Sequence, residues 1–402
     1  MSLPIVLSLG ILQKKYSEVM LNQQIVTYIK SLYPNQDPVL LHCPYFMGNE
    51  KKYLVECIDT KFVSYIGHFV EDMEEKIKEI TAAKYAVALV NGTSALNMLL
   101  LVIGIKPGDE VITQSLSFVA TSAVIVHAQG TPVFIDVGRD TLGMSPESLS
   151  GFLEEYAEVV GGKCFNKKTK KQIRAVIPVH TFGHPVRIDE IQKICEEYSL
   201  LLIEDSAQSL GSFYKGKHVG TFGRAGMFSF NGNKLVTTGG GGIVVTNDET
   251  IATRVRYIAT TAKYPHRWEF YHDEVGYNLR MPSLNAAIGL AQLEYFNHIL
   301  ENKRETAYSY RRFFSTLGVE FIDEPENAKS NYWLNSIMFD DRKRRDEFLE
   351  YSNNNDVQTR PAWALLHTLP PYRHCQHTEM PNAEYIVDRL VNIPSGVRSN
   401  ND

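Results

Sequence analysis

The sequence predicts an α/β protein: a large domain with a mostly parallel seven-stranded sheet, then a smaller α+β domain. Three observations carry this. Short apolar runs alternate with helical stretches from residue 85 to residue 246, the pattern of a parallel sheet covered on both faces. Several runs break at their carboxyl ends into polar or acidic residues (Asn91, Ser115, Asp136, His180 and Asp205), and ligands of such sheets bind there. After Pro282 the alternation stops, and a long helical stretch gives way to short strands.

Taken in order, apolar residues at helical spacing predict a helix over 11–32 that Pro34 stops, so residues 1–45 read as an N-terminal helical arm. Residues 44–48 form a loop, and 51–59 and 70–80 are helices. The predicted strands are 85–90, 110–113, 132–136, 173–180, 200–205, 225–229 and 242–246. Between them lie helices over 95–103, 120–129, 146–160 and 188–198. These make a large domain over 46–285. A long helix over 284–316, strands over 319–322 and 333–339 and a helix over 344–353 then make a small domain over 286–402.

Composition narrows the function. The chain has 402 residues, 44% of them hydrophobic and 22% charged, as in an ordinary soluble protein. A net charge of −5 argues against nucleic acid or an anionic membrane as partner. The apolar stretch 86–105 is interrupted by Asn91, Gly92, Thr93, Ser94 and Asn97, so it reads as two shorter elements, not a membrane span. The N-terminus lacks the pattern of a signal peptide. Five scattered cysteines without a paired motif predict reduced thiols and a cytoplasmic setting. The run 167–171, four lysines around a threonine, reads as a solvated turn.

The chemistry gathers at the strand ends. Lys234 follows the predicted strand 225–229 and precedes the glycine run 239–242, where another backbone or a ligand can approach closely. Asp205 ends a very apolar strand. Gly92, Thr93 and Ser94 lie where a strand turns into a helix, which offers backbone N–H groups and hydroxyls to a phosphate. An amine, a buried carboxylate and a phosphate cradle are the parts that hold pyridoxal phosphate (PLP). The amine forms a Schiff base with its aldehyde, and the carboxylate keeps its ring nitrogen protonated. Gln208 is within reach of the same ring, Ser229 adds a hydroxyl for the phosphate, and Phe118 suits stacking on the ring face. No metal site is expected: His367, His374, Cys375 and His377 fit no common zinc spacing. Residues 211–217 nearly match a P-loop, but His218 stands where that motif needs a hydroxyl, and 215–217 reads as a hairpin turn.

The strings Gly92-Thr93-Ser94-Ala95-Leu96, Ser117-Phe118-Val119-Ala120-Thr121, Val179-His180-Thr181-Phe182-Gly183, Ile203-Glu204-Asp205-Ser206-Ala207-Gln208 and Ser229-Phe230-Asn231-Gly232-Asn233-Lys234 resemble the DegT/DnrJ/EryC1/StrS family of PLP-dependent nucleotide-sugar aminotransferases. So do Gly276-Tyr277-Asn278-Leu279-Arg280-Met281 and the stretch 392–396, and the resemblance spans roughly residues 42–396. It implies PLP fold type I, similar to aspartate aminotransferase. It assigns Lys234 as the Schiff-base lysine, Asp205 as partner of the ring nitrogen, Gln208 beside the ring oxygen and Phe118 as the stacking residue. Thr93, Ser94 and Ser229 are then phosphate contacts. Asn278 reaches the neighbouring subunit's cofactor, which implies a homodimer with shared sites.

The stretches 329–333 and 359–363 with His367 resemble the branch that aminates C4 of nucleotide-linked 4-keto-6-deoxy-N-acetylhexosamines for bacterial surface glycans of the bacillosamine and legionaminic acid type. Glutamate is the expected donor. Arg360, His367 and, at its strand end, His180 are the expected substrate contacts. Alternatives are another keto-sugar, of the perosamine or 3-keto type, and a regulatory homologue without catalysis. Sugar 3-dehydratases of this fold carry histidine in place of the lysine, and Lys234 argues against them.

Overall fold

A computed structural model describes residues 3–399, with side chains described from Glu18 onward. Residues 1–2 of the predicted arm and 400–402 of the predicted small domain lie outside the described residues.

The chain opens with helix α1 (Leu3–Leu32), then α2 (Glu50–Thr60) and α3 (His68–Thr81). Strand and helix then alternate: β1 (Tyr85–Leu89), α4 (Gly92–Val102), β2 (Glu110–Gln114), α5 (Ala120–His127), β3 (Thr131–Ile135) and α6 (Pro146–Tyr156). Next come β4 (Ala157–Val160), β5 (Lys163–Asn166), β6 (Gln172–Ile177), α7 (Ile188–Glu197) and β7 (Leu201–Asp205). A short hairpin, β8 (Phe213–Tyr214) and β9 (Lys217–His218), precedes β10 (Ala225–Ser229), β11 (Gly242–Thr246) and α8 (Glu249–Ala259). The remainder is α9 (Ser283–Glu294), α10 (Phe296–Leu317), β12 (Glu320–Phe321), β13 (Ala328–Lys329), β14 (Asn335–Met338), α11 (Arg342–Asn354), β15 (Arg360–Pro361), α12 (Pro381–Val387) and β16 (Leu390–Ile393).

All seven predicted strands form one sheet in the order β1-β11-β10-β7-β6-β2-β3. Neighbours from β10 to β3 pair parallel, whereas β11 runs antiparallel to both β1 and β10. The cause is the connection: no helix lies between β10 and β11, and a parallel return needs a crossover. The amino end of β11 therefore meets the carboxyl ends of β1, β10 and β7.

Three expectations need correction. The sheet has nine strands, because β4 and β5 add a hairpin beside β6. The helix expected over 146–160 stops at Tyr156, where the β-branched pair Val159-Val160 takes extended backbone. The helix expected over 284–316 is two helices broken at Tyr295. Helix α8, capped by the Asp248 carboxylate accepting from the N–H groups of Thr250 and Ile251, was not anticipated.

A second sheet, β12-β14-β16-β15, belongs to the C-terminal region. The described part of α1 packs there: Ile25, Val26, Ile29 and Tyr33 join Tyr310, Phe314, Ile337 and Phe348 in one apolar cluster. A further cluster joins Phe134, Val137 and Phe182 from the first sheet region to Trp333, Leu365, Tyr372 and Ile386. Polar pins reinforce it. Asp136, just past β3, accepts from the N–H groups of Asn382 and Ala383 and so caps α12.

Candidate active site

A cavity of about 320 Å³ opens where the carboxyl ends of β1, β10 and β7 meet the amino end of β11. Its wall includes Gly92, Thr93, Phe118, Asp205, Gln208, Ser229 and Lys234, so the topology brings together residues spread over more than a third of the sequence.

Lys234 sits in the helix-free loop between β10 and β11, where its backbone N–H closes a turn onto the Asn231 carbonyl at 2.9 Å. Its Nζ lies 3.8 Å from the ring centre of Trp333. The Trp333 indole N–H donates to the Asn233 carbonyl at 2.6 Å and fixes the loop just before the lysine. Burial lowers the lysine's pKa to about 8, against a smaller opposing pull from Asp205. A lysine so placed keeps an unprotonated fraction at neutral pH, as a nucleophile requires.

Asp205 ends β7 with both carboxylate oxygens held. Oδ2 accepts from the Thr121 hydroxyl at 2.7 Å, and Oδ1 accepts from the Ala207 N–H at 3.1 Å. Burial pushes its pKa up; the two hydrogen bonds and the charges of Lys234 and His180 push it back. A buried carboxylate of this kind needs a cation opposite, and a protonated pyridine ring meets that need.

Helix α4 points its N-terminus into the cavity. The Asn91 side chain accepts from the Ser94 N–H at 2.7 Å, while the N–H groups of Gly92 and Thr93 have no carbonyl inside the helix. The backbones crowd here. A Cβ on Gly242 would lie 2.4 Å from Asn91 backbone atoms, and one on Gly92 would lie 2.9 Å from Ser229 Cβ. Only glycine at both positions lets the helix start sit against β10 and β11 and leave room for an anion. Gly92→Ala is expected to destabilise this packing by about 1–3 kcal/mol and to lower PLP affinity. Titrating the cofactor-free variant with PLP, with melting temperature as control, checks this.

Gln208 is buried, and its amide oxygen accepts from the Phe182 N–H at 2.7 Å, which leaves its N–H donors for the cavity. Phe118 stands 54% exposed at the mouth, edge-on to Trp363. An amine, a held carboxylate, a helix N-terminus with hydroxyls and an aromatic lid fit PLP.

The other predicted contacts fare differently. Ser94 gives its N–H to Asn91 and is not part of the wall, which Gly92 and Thr93 form. Asn278 is exposed, outside this cavity, on the segment before α9. His180 is withdrawn: it is fully buried with Nε2 3.2 Å from Glu204, and its Nδ1 accepts from the Val186 N–H, so substrate does not reach it. Arg360 is exposed and bonded to Asn353 and to the Thr359 carbonyl, away from the cavity. His367 bonds Ser115, just past β2, at 2.7 Å and lies against the His377 ring, which leaves it outside the wall. Among the described residues no cluster suits a metal ion. The near P-loop is the β8–β9 hairpin.

Among the wall residues that the sequence reading did not name as site residues are Thr121, Trp333 and Trp363. Thr121 lies one helical turn after Phe118, a spacing that offered a signal. The tryptophans close the stretches 329–333 and 359–363, whose resemblance to the C4-aminating branch was a signal, although Arg360 and His367 were the residues singled out there.

Residues 45–402 match the DegT/DnrJ/EryC1/StrS aminotransferase family. The chain is 36% identical to the GDP-perosamine synthase of Escherichia coli O157:H7 over 88% of its length and 92% of the relative's. It is 35% identical to EpsN of Bacillus subtilis (strain 168), over 90% and 92%. Among solved structures, DesI in the presence of its TDP-sugar product superposes with a TM-score of 0.79 at 27% identity, covering 92% of this chain and 90% of that one.

Proposed function

From the premise that the chain belongs to the DegT/DnrJ/EryC1/StrS aminotransferase family, and is a PLP-dependent sugar aminotransferase, we propose that it moves an amino group from glutamate to C4 of a nucleotide-linked 4-keto-6-deoxyhexose. The observation that carries this reading is Lys234, an amine with pKa near 8 across a cavity from the held carboxylate of Asp205. PLP, when bound, supplies an aldehyde that accepts an amino group and a protonated ring that draws electrons from the reacting carbon. Lys234 Nζ takes the proton from the donor's α-carbon and, in the second half of the cycle, returns a proton to the sugar carbon that receives nitrogen. Asp205 would hold the positive charge of the ring nitrogen through a charge-assisted hydrogen bond. Gly92, Thr93 and Ser229 would hold the phosphate, Gln208 would donate to the ring oxygen, and Phe118 would cover the ring face.

Two sugar classes fit. The stretches 329–333 and 359–363 support an N-acetylated hexosamine. The likeness to a GDP-perosamine synthase supports a GDP-linked sugar of the perosamine type. Incubation with glutamate and a panel of UDP-, GDP- and dTDP-linked 4-keto sugars, read by product mass and proton couplings, separates them. Transfer to none of the panel overturns the proposal.

The site is completed by a second copy of the chain. Phe62, Ile66, Trp268, Phe270 and Val275 are each more than half exposed, an apolar surface typical of an interface, and Asn278 lies on the same segment as the last three. Mixing Lys234→Ala chains with Asn278→Ala chains is expected to restore about a quarter of wild-type activity through random pairing; no recovery in verified mixed dimers counts against shared sites. The five unpaired cysteines support a cytoplasmic location, and no helix among the described residues is long and apolar enough to cross a membrane.

A further inference from the structure

Trp333 stands just before β14, in the C-terminal region, yet it lines the cavity built on the large sheet. The residue is 4% exposed, and hydrogen bonds fix it at three points. Its backbone N–H donates to Asn331 Oδ1 at 2.8 Å. The Asn331 amide in turn donates to the carbonyls of Gln208 at 3.0 Å and Leu210 at 2.9 Å, just past β7. The Trp333 carbonyl accepts from Lys303 Nζ at 3.1 Å, and the indole N–H donates to the Asn233 carbonyl at 2.6 Å. Tyr332 beside it takes left-handed backbone, φ 49°, which an aromatic residue adopts only where its surroundings impose it. The chain is thus bent and pinned to set one indole ring in one place. What that ring meets is the reacting amine. Lys234 Nζ lies 3.8 Å from its centre, well inside the roughly 6 Å over which an aromatic face attracts a cation. Nζ makes no hydrogen bond among the described residues, so the indole face is its contact. Tryptophan offers the most attractive face of the aromatic side chains, and only a protonated amine gains from it.

We propose that Trp333 is a positioning residue for proton transfer: its indole face receives the ammonium that Lys234 becomes between taking the donor's proton and passing it on, and its N–H holds the loop that aims Lys234 into the cavity. When the donor's α C–H bond breaks, the electron pair stays on the donor's side and the proton lands on Nζ. Nζ thereby gains a charge, which it loses when it gives the proton up. Burial works against that charge and holds the amine near pKa 8. The indole face offsets part of this cost and brings no net charge of its own. A carboxylate in its place would grip the proton more tightly and repel the carboxylates of glutamate. The titratable groups that act on Lys234 are Asp205 at the end of β7, which favours the ammonium, and His42 before α2. Protonation of His42 is itself disfavoured first by burial, then by Lys303 and Lys234.

The inference rests on Lys234 carrying the proton, and not on which sugar is aminated. Its test places tryptophans bearing one to four fluorines on the benzo ring at position 333 of the full-length chain, by site-specific incorporation. Each fluorine draws electrons from the ring face, while the ring's shape and its indole N–H are kept. In the chain freed of cofactor, competitive acetylation read by peptide mass at Lys234 gives the midpoint at which the amine becomes reactive. That midpoint is expected to fall stepwise, by about half to one pH unit across the series. A midpoint that stays fixed in folded chains overturns the role of the ring face. In the PLP-loaded enzyme, the half-reaction with glutamate is expected to slow by about three- to tenfold with KM unchanged. The isotope effect from α-deuterated glutamate should rise along the series. A moving midpoint with an unchanged half-reaction overturns the part in proton transfer. If the most fluorinated chain does not fold, the remaining steps of the series decide in the same way. Failure on the sugar panel leaves the midpoint result standing. Turnover by Lys234→Ala strikes the reading beneath the inference without altering that midpoint.

Discussion

Lys234→Ala is expected to lower turnover by at least about 10³-fold, the scale of losing a positioned proton-transfer group that is also the nucleophile. The fold should survive, because the side chain makes no hydrogen bond and contributes chiefly its contact with the Trp333 face. Burial already holds the amine's pKa near 8, so removing it relieves a buried charge, and the melting temperature should stay level or rise. Lys234→Arg should be as inactive, since a guanidinium remains protonated. Steady-state rates together with thermal melts make the check. Appreciable turnover in a folded Lys234→Ala protein would falsify the assignment of this residue.

Asp205→Asn should follow closely. The amide keeps the shape of the carboxylate but has one acceptor oxygen for two donors, the Thr121 hydroxyl and the Ala207 N–H. It also removes the negative charge that a protonated ring needs. Breaking a buried pair by deleting one partner costs about 3–5 kcal/mol, so cofactor affinity and half-reaction rate together should fall by about 100-fold or more. Thr121→Val removes one neutral donor and should cost only about 1 kcal/mol, a several-fold effect. Absorbance titrations and stopped-flow half-reactions measure both. If Asp205→Asn binds and reacts like the wild type, the carboxylate is not the ring's partner.

The large sheet was legible because each of its seven main strands is an apolar run bounded by turn residues, and burial on both faces leaves that mark in sequence. The hairpin at 157–166 was not, because in sequence Val159 and Val160 continue the helical pattern of α6, whereas the helix itself ends at Tyr156. The cofactor wall was legible where function demands a residue type at a strand end: Lys234, Asp205, Thr93, Gln208 and Phe118 meet in one cavity. His180 shows the limit of that logic. It also stands past a strand end, yet Glu204 satisfies it inside the core, and no local pattern separates a buried histidine from an open one. Trp333 and Trp363 lay in stretches that resembled a substrate-binding branch, but local spacing pointed to Arg360 and His367 instead, because long-range folding decides which side chains of those stretches reach the cavity.

The Asp136 cap on α12, the His367–Ser115 bond and the apolar cluster shared between the large sheet and the C-terminal region have a kinetic consequence. Regions sewn together at several points do not swing apart like jaws without tearing those seams. Traffic in and out of the cavity must then pass the mouth where Phe118 stands edge-on to Trp363, so the tempo of substrate exchange is set by how far one exposed ring can turn aside.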